Sequence, residues 1–171
     1  MKPIIRSVAV AALTATAILA APASAQIAPG GGPVAYGADR SEYIDSQGVF
    51  RLTGRAELIQ AENRLRANSI DLYTTPNGAS GGGNNSGDVR EVIATGDVYF
   101  VTPTQVVRGD RAVYTASTES IVVTGDVILT QGQNVMTGSR LTVHVPTNRA
   151  TMDGAPTAAG TRVRGVFYPS E

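Results

Sequence analysis

The sequence predicts an elongated all-β protein, a folded strip or solenoid-like stack built from repeats of about 29 residues. Three observations predict this class: a glycine-containing motif recurs at a fixed interval, apolar residues occupy every second position around it, and helix signals are nearly absent. A period of two is typical of strands with one buried face. We expect either a two-sheet folded strip or a β-helix-like solenoid, with open edge strands at both ends.

The repeat begins at a dipeptide that ends in glycine. Successive copies lie 42, 29 and 29 residues apart, and they stand at Thr53-Gly54, Thr95-Gly96, Thr124-Gly125 and Asp153-Gly154. The glycine is predicted to supply a kink or turn with positive φ. The apolar alternation slips about 13 residues later, at a small residue, which predicts a bend or bulge there. These small residues are Ala67, Gly109 and Gly138.

The chain is predicted to divide into a signal, a short lead and one β domain. Residues 1–25 have the layout of a cleaved secretory signal, with a basic start, an apolar run and an Ala-x-Ala end. Residues 26–37 are expected to be flexible, and residues 38–171 to form the domain. The excess length of the first repeat lies in residues 74–88, a Gly- and Asn-rich segment predicted to be a hairpin insertion.

Charge and composition exclude several classes of function. Removing Lys2 and Arg6 with the signal leaves 12 basic and 14 acidic residues, a net charge of −2, which argues against nucleic acid as a partner. His144 is the only histidine, there is no cysteine, and no group of residues has metal-ligand spacing. Serine residues lack a neighbouring base that could activate them. We therefore expect no enzyme activity, no metal and no cofactor.

The inward-facing residues are the first candidate site. If the two layers lie apart, these residues line an apolar trough; if the layers pack together, they form a filled core, and the pattern leaves both open. Burying a dozen methylenes of an acyl chain would contribute roughly 10 kcal/mol.

Arginines at equivalent repeat positions are the second candidate. Arg66 and Arg108 share one position and Arg111 and Arg140 share another, so stacking would align them in two basic stripes suited to phosphate. Solubility and edge protection are the alternative explanation.

The repeated frame resembles a known family. The segments "TGDVYF", "RGDRAVY", "TGDVIL" and "TGSRLTV" are similar to those of the LptA/OstA-like proteins, over residues 38–154. The resemblance implies a periplasmic protein with a folded β-jellyroll and a hydrophobic groove for the lipid A acyl chains of lipopolysaccharide. It also implies no enzyme activity and edge-to-edge self-association. The implied partners are inner-membrane and outer-membrane transport components with OstA-like domains.

The resemblance also assigns roles to residues. Strand addition between molecules would use the segments "VAYGADRSEYI" and "TRVRGVFYP". The groove would be lined by Phe50, Leu52, Leu58, Leu65, Val98, Phe100, Val107, Val123, Val127, Leu129, Met136 and Leu141.

Other functions stay open at this stage. The same repeat would suit a structural β-solenoid or scaffold with a dry core, or an LptC-like adaptor with no lipid cargo. The periplasmic domain of the outer-membrane translocon is a further relative, disfavoured because no barrel follows. A carbohydrate-active solenoid would need a carboxylate cluster on one outer face, and no such cluster repeats.

Overall fold

The structure is a computed structural model that describes residues 33–75, 89–147, 149–155 and 162–169. Within these ranges the chain forms strands and two single-turn 3-10 helices, Asp45–Gln47 and Ala116–Thr118. The predicted all-β class is confirmed. The predicted signal and most of the predicted insertion lie outside the described residues.

The strands are β1 (Ala35–Gly37), β2 (Arg40–Ile44), β3 (Val49–Gln60), β4 (Asn63–Thr74), β5 (Val89–Val101), β6 (Val106–Thr115), β7 (Ser120–Gln131), β8 (Asn134–His144), β9 (Arg149–Asp153) and β10 (Arg164–Val166).

All described strands belong to one sheet with the order β1-β3-β4-β5-β6-β7-β8-β10. The six long strands, β3 to β8, follow one another as antiparallel neighbours. At the two ends of the sheet, β2 also pairs with β3, and β9 also pairs with β8. Antiparallel pairing between consecutive strands decides between the two predicted architectures, because a β-helix stacks parallel strands. The protein is a folded antiparallel strip.

The strip folds along a line of bulges. In the β3–β4 pair the register shifts between Thr53 and Ala56, and every later pair up to β7–β8 shifts at the equivalent place. Bulges bend a strand and interrupt the ladder of hydrogen bonds. They divide the sheet into two facing parts. Half-sheet A comprises residues 49–53, 69–74, 89–95, 111–115, 120–124 and 140–144, and half-sheet B comprises residues 56–60, 63–67, 98–101, 106–109, 127–131 and 134–138.

The repeat glycines stand in these bulges with positive φ, as predicted. Gly54 has φ 77°, Gly96 has φ 78° and Gly125 has φ 105°. Each also packs against a polar side chain: Gly54 against Asp39 before β2, Gly96 against Asn68 of β4, and Gly125 against Asp110 of β6. At Gly125 an added Cβ would overlap the carboxyl group of Asp110. The glycine is therefore required both for its backbone conformation and for the space that it leaves.

A pair of alanine substitutions separates these two requirements. Gly125→Ala is expected to lower the free energy of unfolding by about 2–3 kcal/mol, because backbone strain and overlap with Asp110 add. Gly132, in the β7–β8 turn, also has positive φ (58°), but nothing lies within 4 Å of an added Cβ. Gly132→Ala should therefore cost only about 1 kcal/mol. Urea denaturation measures both, and equal losses would show that overlap contributes nothing.

The terminal strands leave both ends of the sheet open. Most of β1, β2, β9 and β10 is exposed, and among the described strands each pairs on one side only. Residues Ala35–Gly37 lie in the segment predicted to be flexible, 26–37, yet they form β1 against β3. The open edges are a confirmed feature of the predicted fold. No helix in the described part of the chain is long and apolar enough to cross a membrane.

Candidate functional site

The inner surfaces of half-sheets A and B enclose the candidate site, which we call the trough. Cross-strand register places its side chains in rows, since directly opposed residues point to the same face. Half-sheet B contributes Leu58, Leu65, Phe100, Val107, Leu129 and Met136 in one row. Half-sheet A contributes Leu52, Ile70, Ala94, Ala112, Val123, Leu141 and Met152 in a facing row.

The structure brings together all of the residues predicted to line the groove. Six of them form the row of half-sheet B, and Leu52, Val123 and Leu141 lie in the row of half-sheet A. Val98 and Val127 lie beside the bend and are buried, while Phe50 packs against the core from the β3 end. Their location is therefore established, and contact with lipid stays a prediction.

Several lining residues were missed. A second row in half-sheet A includes Val92, Tyr114, Ile121 and Val143. These residues follow the apolar alternation of the repeat, but the predicted groove lining does not include them. Gln105 and Gln131 also line the trough, and the prediction does not include them because it rests on apolar residues only. The alternation itself would have found them, since each lies two residues beyond an inward-facing aliphatic residue.

The trough is mostly filled by its own side chains. One gap of about 30 Å³ lies between Leu65 and Phe100 of half-sheet B and Tyr114, Ile121 and Val123 of half-sheet A. A second gap, of about 110 Å³, lies nearer β8 and includes Leu129 and Leu141. Pockets that hold small ligands measure roughly 300–1,000 Å³. An acyl chain would therefore need the half-sheets to move apart.

Packing is loosest in half-sheet B at the β8 end of the strip. Along the row of half-sheet B, exposure stays at 8 % or less from Leu58 to Val107 and rises only at the end of the row, to 40 % at Met136. In half-sheet A, Leu141 of β8 remains buried, at 1 %. At the β1 end the trough is closed by an edge-to-face contact of Tyr36 with Phe50, with ring centroids 4.9 Å apart. The β8 end is thus the more accessible end of the trough.

Tyr114 is the titratable residue that lines the trough at the smaller gap. It is 8 % exposed, and burial, with a smaller contribution from Glu119, raises the pKa of its phenol above the usual value. A raised pKa in the folded state favours folding fully below the pKa of the unfolded chain, about 10. That contribution is lost as the pH rises through the higher folded-state pKa.

Tyr114→Phe should remove this dependence. We expect wild type to lose stability relative to Tyr114→Phe as the pH rises above about 10, because only wild type must keep a buried phenol neutral. Urea denaturation of both proteins at pH 8 and at stepwise higher pH measures the difference. Parallel pH profiles would contradict it.

The four predicted phosphate contacts lie on the other side of the sheet. Arg66, Arg108, Arg111 and Arg140 are exposed on the outer face next to the bend. The register aligns Arg66 with Arg108 across Tyr99, and the Arg108 guanidinium lies 5.6 Å from the centroid of that ring. The predicted stripes therefore exist, but the sheet separates them from the trough. A phosphate group could reach them only from outside.

Other arginines on the outer face are paired. Arg51 Nε donates to Asp71 Oδ1 at 2.7 Å, and Arg64 Nε lies 2.9 Å from Glu57 Oε1. Near the bend, the Arg55 guanidinium donates to Asp39 and lowers the pKa of that carboxyl below its usual value. These pairs lie on β3, on β4 and beside the first bend, at the β1 end of the strip, where Arg66 of β4 also stands. Arg108 and Arg111 belong to β6, in the middle of the strip, and Arg140 belongs to β8.

The described residues hold no group of three or more His, Cys, Asp or Glu side chains that could bind a metal. His144 is exposed at the end of β8, opposite Ser120 of β7 and Arg149 of β9. The distinctive features of the molecule are therefore the trough and the two open edges.

Comparison with known proteins agrees with this architecture. The chain matches the fold of the crystal structure of LptH, the LptA homologous periplasmic component of the lipopolysaccharide transport device from Pseudomonas aeruginosa. The TM-score is 0.65 at 19 % sequence identity, over 80 % of this chain and 96 % of that chain. An uncharacterized protein of Rhizobium meliloti (strain 1021) is 26 % identical over 133 residues, which are 77 % of this chain and 69 % of that protein.

A family model covers most of the described fold. Residues 37–149, more than half of the chain, match the model described as LptA/(LptD N-terminal domain) LPS transport protein. This range contains β2 to β8 complete and ends at the first residue of β9, so it includes all the bulges. The predicted family is thereby confirmed: the chain belongs to the family formed by LptA and the LptD N-terminal domain.

Proposed function

We propose that the protein is a periplasmic carrier that holds the acyl chains of lipopolysaccharide in the trough and passes the lipid from the inner to the outer membrane. The observation that carries this proposal is the continuous apolar inner face, which runs between two open edges and becomes more exposed toward Met136. When hydrocarbon covers apolar surface that was in contact with water, the free energy falls, and this favours binding. Family membership supports the same conclusion.

Lipid entry requires the half-sheets to part, and the bulges are where this motion is easiest. Each bulge interrupts the ladder, so bending there breaks few backbone hydrogen bonds. Around the β8 end fewer side-chain contacts oppose the motion, because Met136 and Leu129 are incompletely buried. We therefore propose that lipid enters or leaves there first, and that the Tyr36–Phe50 contact must open for passage at the β1 end.

Photocrosslinking tests the carrier function. A photoreactive residue is placed at Leu129 or Phe100, which face the trough, and in a control at Thr130, which follows Leu129 and faces outward. After incubation with lipopolysaccharide and irradiation, adducts are expected at Leu129 and Phe100 and not at Thr130. A folded protein that gives no adduct at either trough position, or equal adducts at all three, would contradict the proposal.

Bridging between membranes is proposed to use the open edges. An edge strand presents unpaired backbone groups that another strand can pair with. β2 and β10 lie at opposite ends of the sheet and carry exposed apolar residues, Tyr43 at 54 % and Val166 at 56 %. The proposed partners are a second copy of this chain and the membrane-bound transport components that have a similar domain.

Lysine substitutions at the edges test this assembly. Tyr43→Lys and Val166→Lys should each reduce the concentration-dependent growth in length seen by small-angle X-ray scattering, because lysine on an edge opposes strand addition. Thr95→Lys adds the same charge in the middle of the sheet, on β5, and should leave growth unchanged. A wild type that stays monomeric at all concentrations would contradict self-association.

The arginine stripes are proposed to bind phosphate only on the outer face of the sheet. Because Arg111 and Arg140 lie on the outer face, we propose that they meet phosphate groups of a lipid or partner that approaches from outside. Acyl chains in the trough should not depend on them. Replacing both with alanine should therefore leave crosslinking at Leu129 unchanged.

A scaffold with a filled interior is the second candidate function. The observation that favours it is the small size of the two gaps described above, about 30 and 110 Å³, which described residues line. The same crosslinking experiment separates the two functions, since a scaffold would capture no lipid from either trough position.

A further inference from the structure

One lip of the trough is lined by neutral hydrogen-bonding side chains. In half-sheet B the inward alternation continues beyond the apolar row, so the residue two positions past each aliphatic residue also faces inward. Opposing pairs at the turns confirm this register. The row, which we call the amide lip, consists of Gln60, Asn63, Thr102, Gln105, Gln131 and Asn134. None of these side chains carries a charge.

The amide lip is buried at one end of the strip and open at the other. Gln60 is 2 % exposed and Asn63 and Thr102 are each 6 % exposed, whereas Gln105 and Asn134 are half-buried and Gln131 is exposed. The exposure of the lip residues is thus highest toward β8, where the apolar row beside them is also most exposed. The accessible part of the lip is therefore the part formed by Gln105 and Gln131, toward β8.

Backbone contacts hold the β5–β6 turn that carries Gln105. The Thr102 N–H donates to the Gln105 carbonyl oxygen at 2.9 Å, and the Gln105 N–H donates to Thr102 Oγ1 at 3.1 Å. These bonds fix the backbone of the turn, from which the Gln105 side chain reaches the gap that Val107 also lines. Its amide group remains available to a ligand at the lip.

The larger gap has an amphiphilic lining. Gln105 and Gln131 stand on one side of this gap of about 110 Å³, and the rest of its wall includes Val107, Leu129 and Val143. A volume of this size accommodates part of a ligand only, since whole-ligand pockets are roughly 300–1,000 Å³. It suits a group at which hydrogen-bonding atoms meet hydrocarbon.

The chemistry of the lining indicates which group that is. A glutamine side chain both donates and accepts hydrogen bonds, so it pairs with ester or amide carbonyls, amide N–H groups and hydroxyls. An anionic group gains more from guanidinium groups, and the four arginines of the two stripes stand outside the trough. We infer that Gln105 and Gln131 bind the neutral linkage, an ester or amide with its neighbouring hydroxyls, that joins an acyl chain to its head group. The inference rests on the proposed function, since it requires hydrocarbon in the trough.

In this arrangement the linkage lies at the amide lip and the chain runs inward past Val107 and Leu129. The amides would then orient the lipid, with its head group on the side of the β5–β6 and β7–β8 turns. They would also select amphiphiles with a neutral linkage over those in which a charge follows the hydrocarbon directly.

Binding of matched amphiphiles tests the inference. The chain without residues 1–25 is titrated calorimetrically with dodecanoyl sucrose, in which an ester joins the hydrocarbon to a neutral sugar, and with dodecyl phosphate, both below the concentration at which they form micelles. Replacing Gln105 and Gln131 together with leucine should weaken dodecanoyl sucrose binding by about 5–30-fold, because two hydrogen-bonding partners of the ester linkage and its neighbouring hydroxyls are lost. Dodecyl phosphate binding should change by less than about 2-fold, since its hydrocarbon contacts persist.

Gln133→Leu is the matched control. Gln133 lies in the same β7–β8 turn as Gln131 but outside the strands and outside the lining of the gap, so its replacement should leave both affinities unchanged. Thermal unfolding of each variant shows that the fold is retained. If the double variant loses both probes equally, or neither, the inference is overturned while lipid binding by the trough stands. If wild type binds no probe, the proposed function and the inference fail together.

Discussion

Leu52→Ala is expected to lower the free energy of unfolding by about 3–4 kcal/mol, whereas Met136→Ala should lower it by less than about 1 kcal/mol. Both residues were predicted to line the same groove. Leu52 is 0 % exposed and lies opposite Ile70, also 0 % exposed, so truncation leaves a cavity that the surroundings cannot close. Met136 is 40 % exposed, and truncation there leaves no cavity.

Urea denaturation of the chain without its predicted signal measures both changes, with the slope of free energy against urea checked for constancy. The comparison tests the packing gradient, since the two side chains have similar size and differ in their place along the strip. Equal losses would contradict the gradient and, with it, the proposal that lipid enters first at the β8 end.

Repetition made most of the architecture predictable. The Thr-Gly interval and the period of two predicted the all-β class, the repeat and the inward-facing positions, because alternation is a local property of strands. The positive φ of Gly96 and the register shifts beside it followed from the same motif. A short-range pattern repeated in three copies leaves few other ways to bury the apolar positions.

The packing of the trough could not be read from the pattern. Leu65, Val107 and Met136 occupy the same repeat position, yet the first two are buried and the third is exposed. The difference arises at the end of the strip, where the next strand, β10, is three residues long and places Gly165 opposite Met136. A glycine offers no side chain to cover its neighbour, so exposure there depends on pairing between distant segments.

The terminal strands also depend on pairing between distant segments, which a local pattern does not show. Ala35–Gly37 lies both in the segment predicted to be flexible and in the segment "VAYGADRSEYI" predicted to pair by strand addition, and three residues are too few to display an alternation. Its pairing with β3 depends on an edge that forms only once the sheet has folded. The outward direction of Arg66 and Arg108, in contrast, follows from the alternation, since each lies next to an inward-facing residue in its strand.

Leu129→Asp is expected to weaken the binding of a dodecyl chain by about 10–100-fold, the largest effect of a single substitution on the proposed function. Leu129 lies in the apolar row at the open end of the trough, between Val107 and Met136. A carboxylate there keeps its water, so the chain loses contact with about two methylenes, worth about 0.8 kcal/mol each. Binding of the chain would also remove part of the water around the introduced carboxylate, which weakens binding further.

Thr130→Asp supplies the control, because it introduces the same charge one residue along β7 on the outward face. Its effect on binding should be less than about 2-fold, since a charge in water beyond the sheet interacts weakly with a neutral ligand. Calorimetric titration with dodecyl maltoside measures both variants, and circular dichroism confirms that each is folded. The fold should survive Leu129→Asp, because this residue is only partly buried.

Comparing Leu129→Asp with Thr130→Asp shows whether the dodecyl chain binds in the trough or elsewhere on the protein surface. Greater loss in Leu129→Asp than in Thr130→Asp places the chain against the inner face, and the Leu129 position places it at the end where packing is loosest. Equal affinities would instead assign the hydrocarbon to the exposed apolar residues near the C terminus, Val166, Phe167 and Tyr168. In that case the half-sheets would have no need to part, and the filled interior would act as a scaffold for the edges.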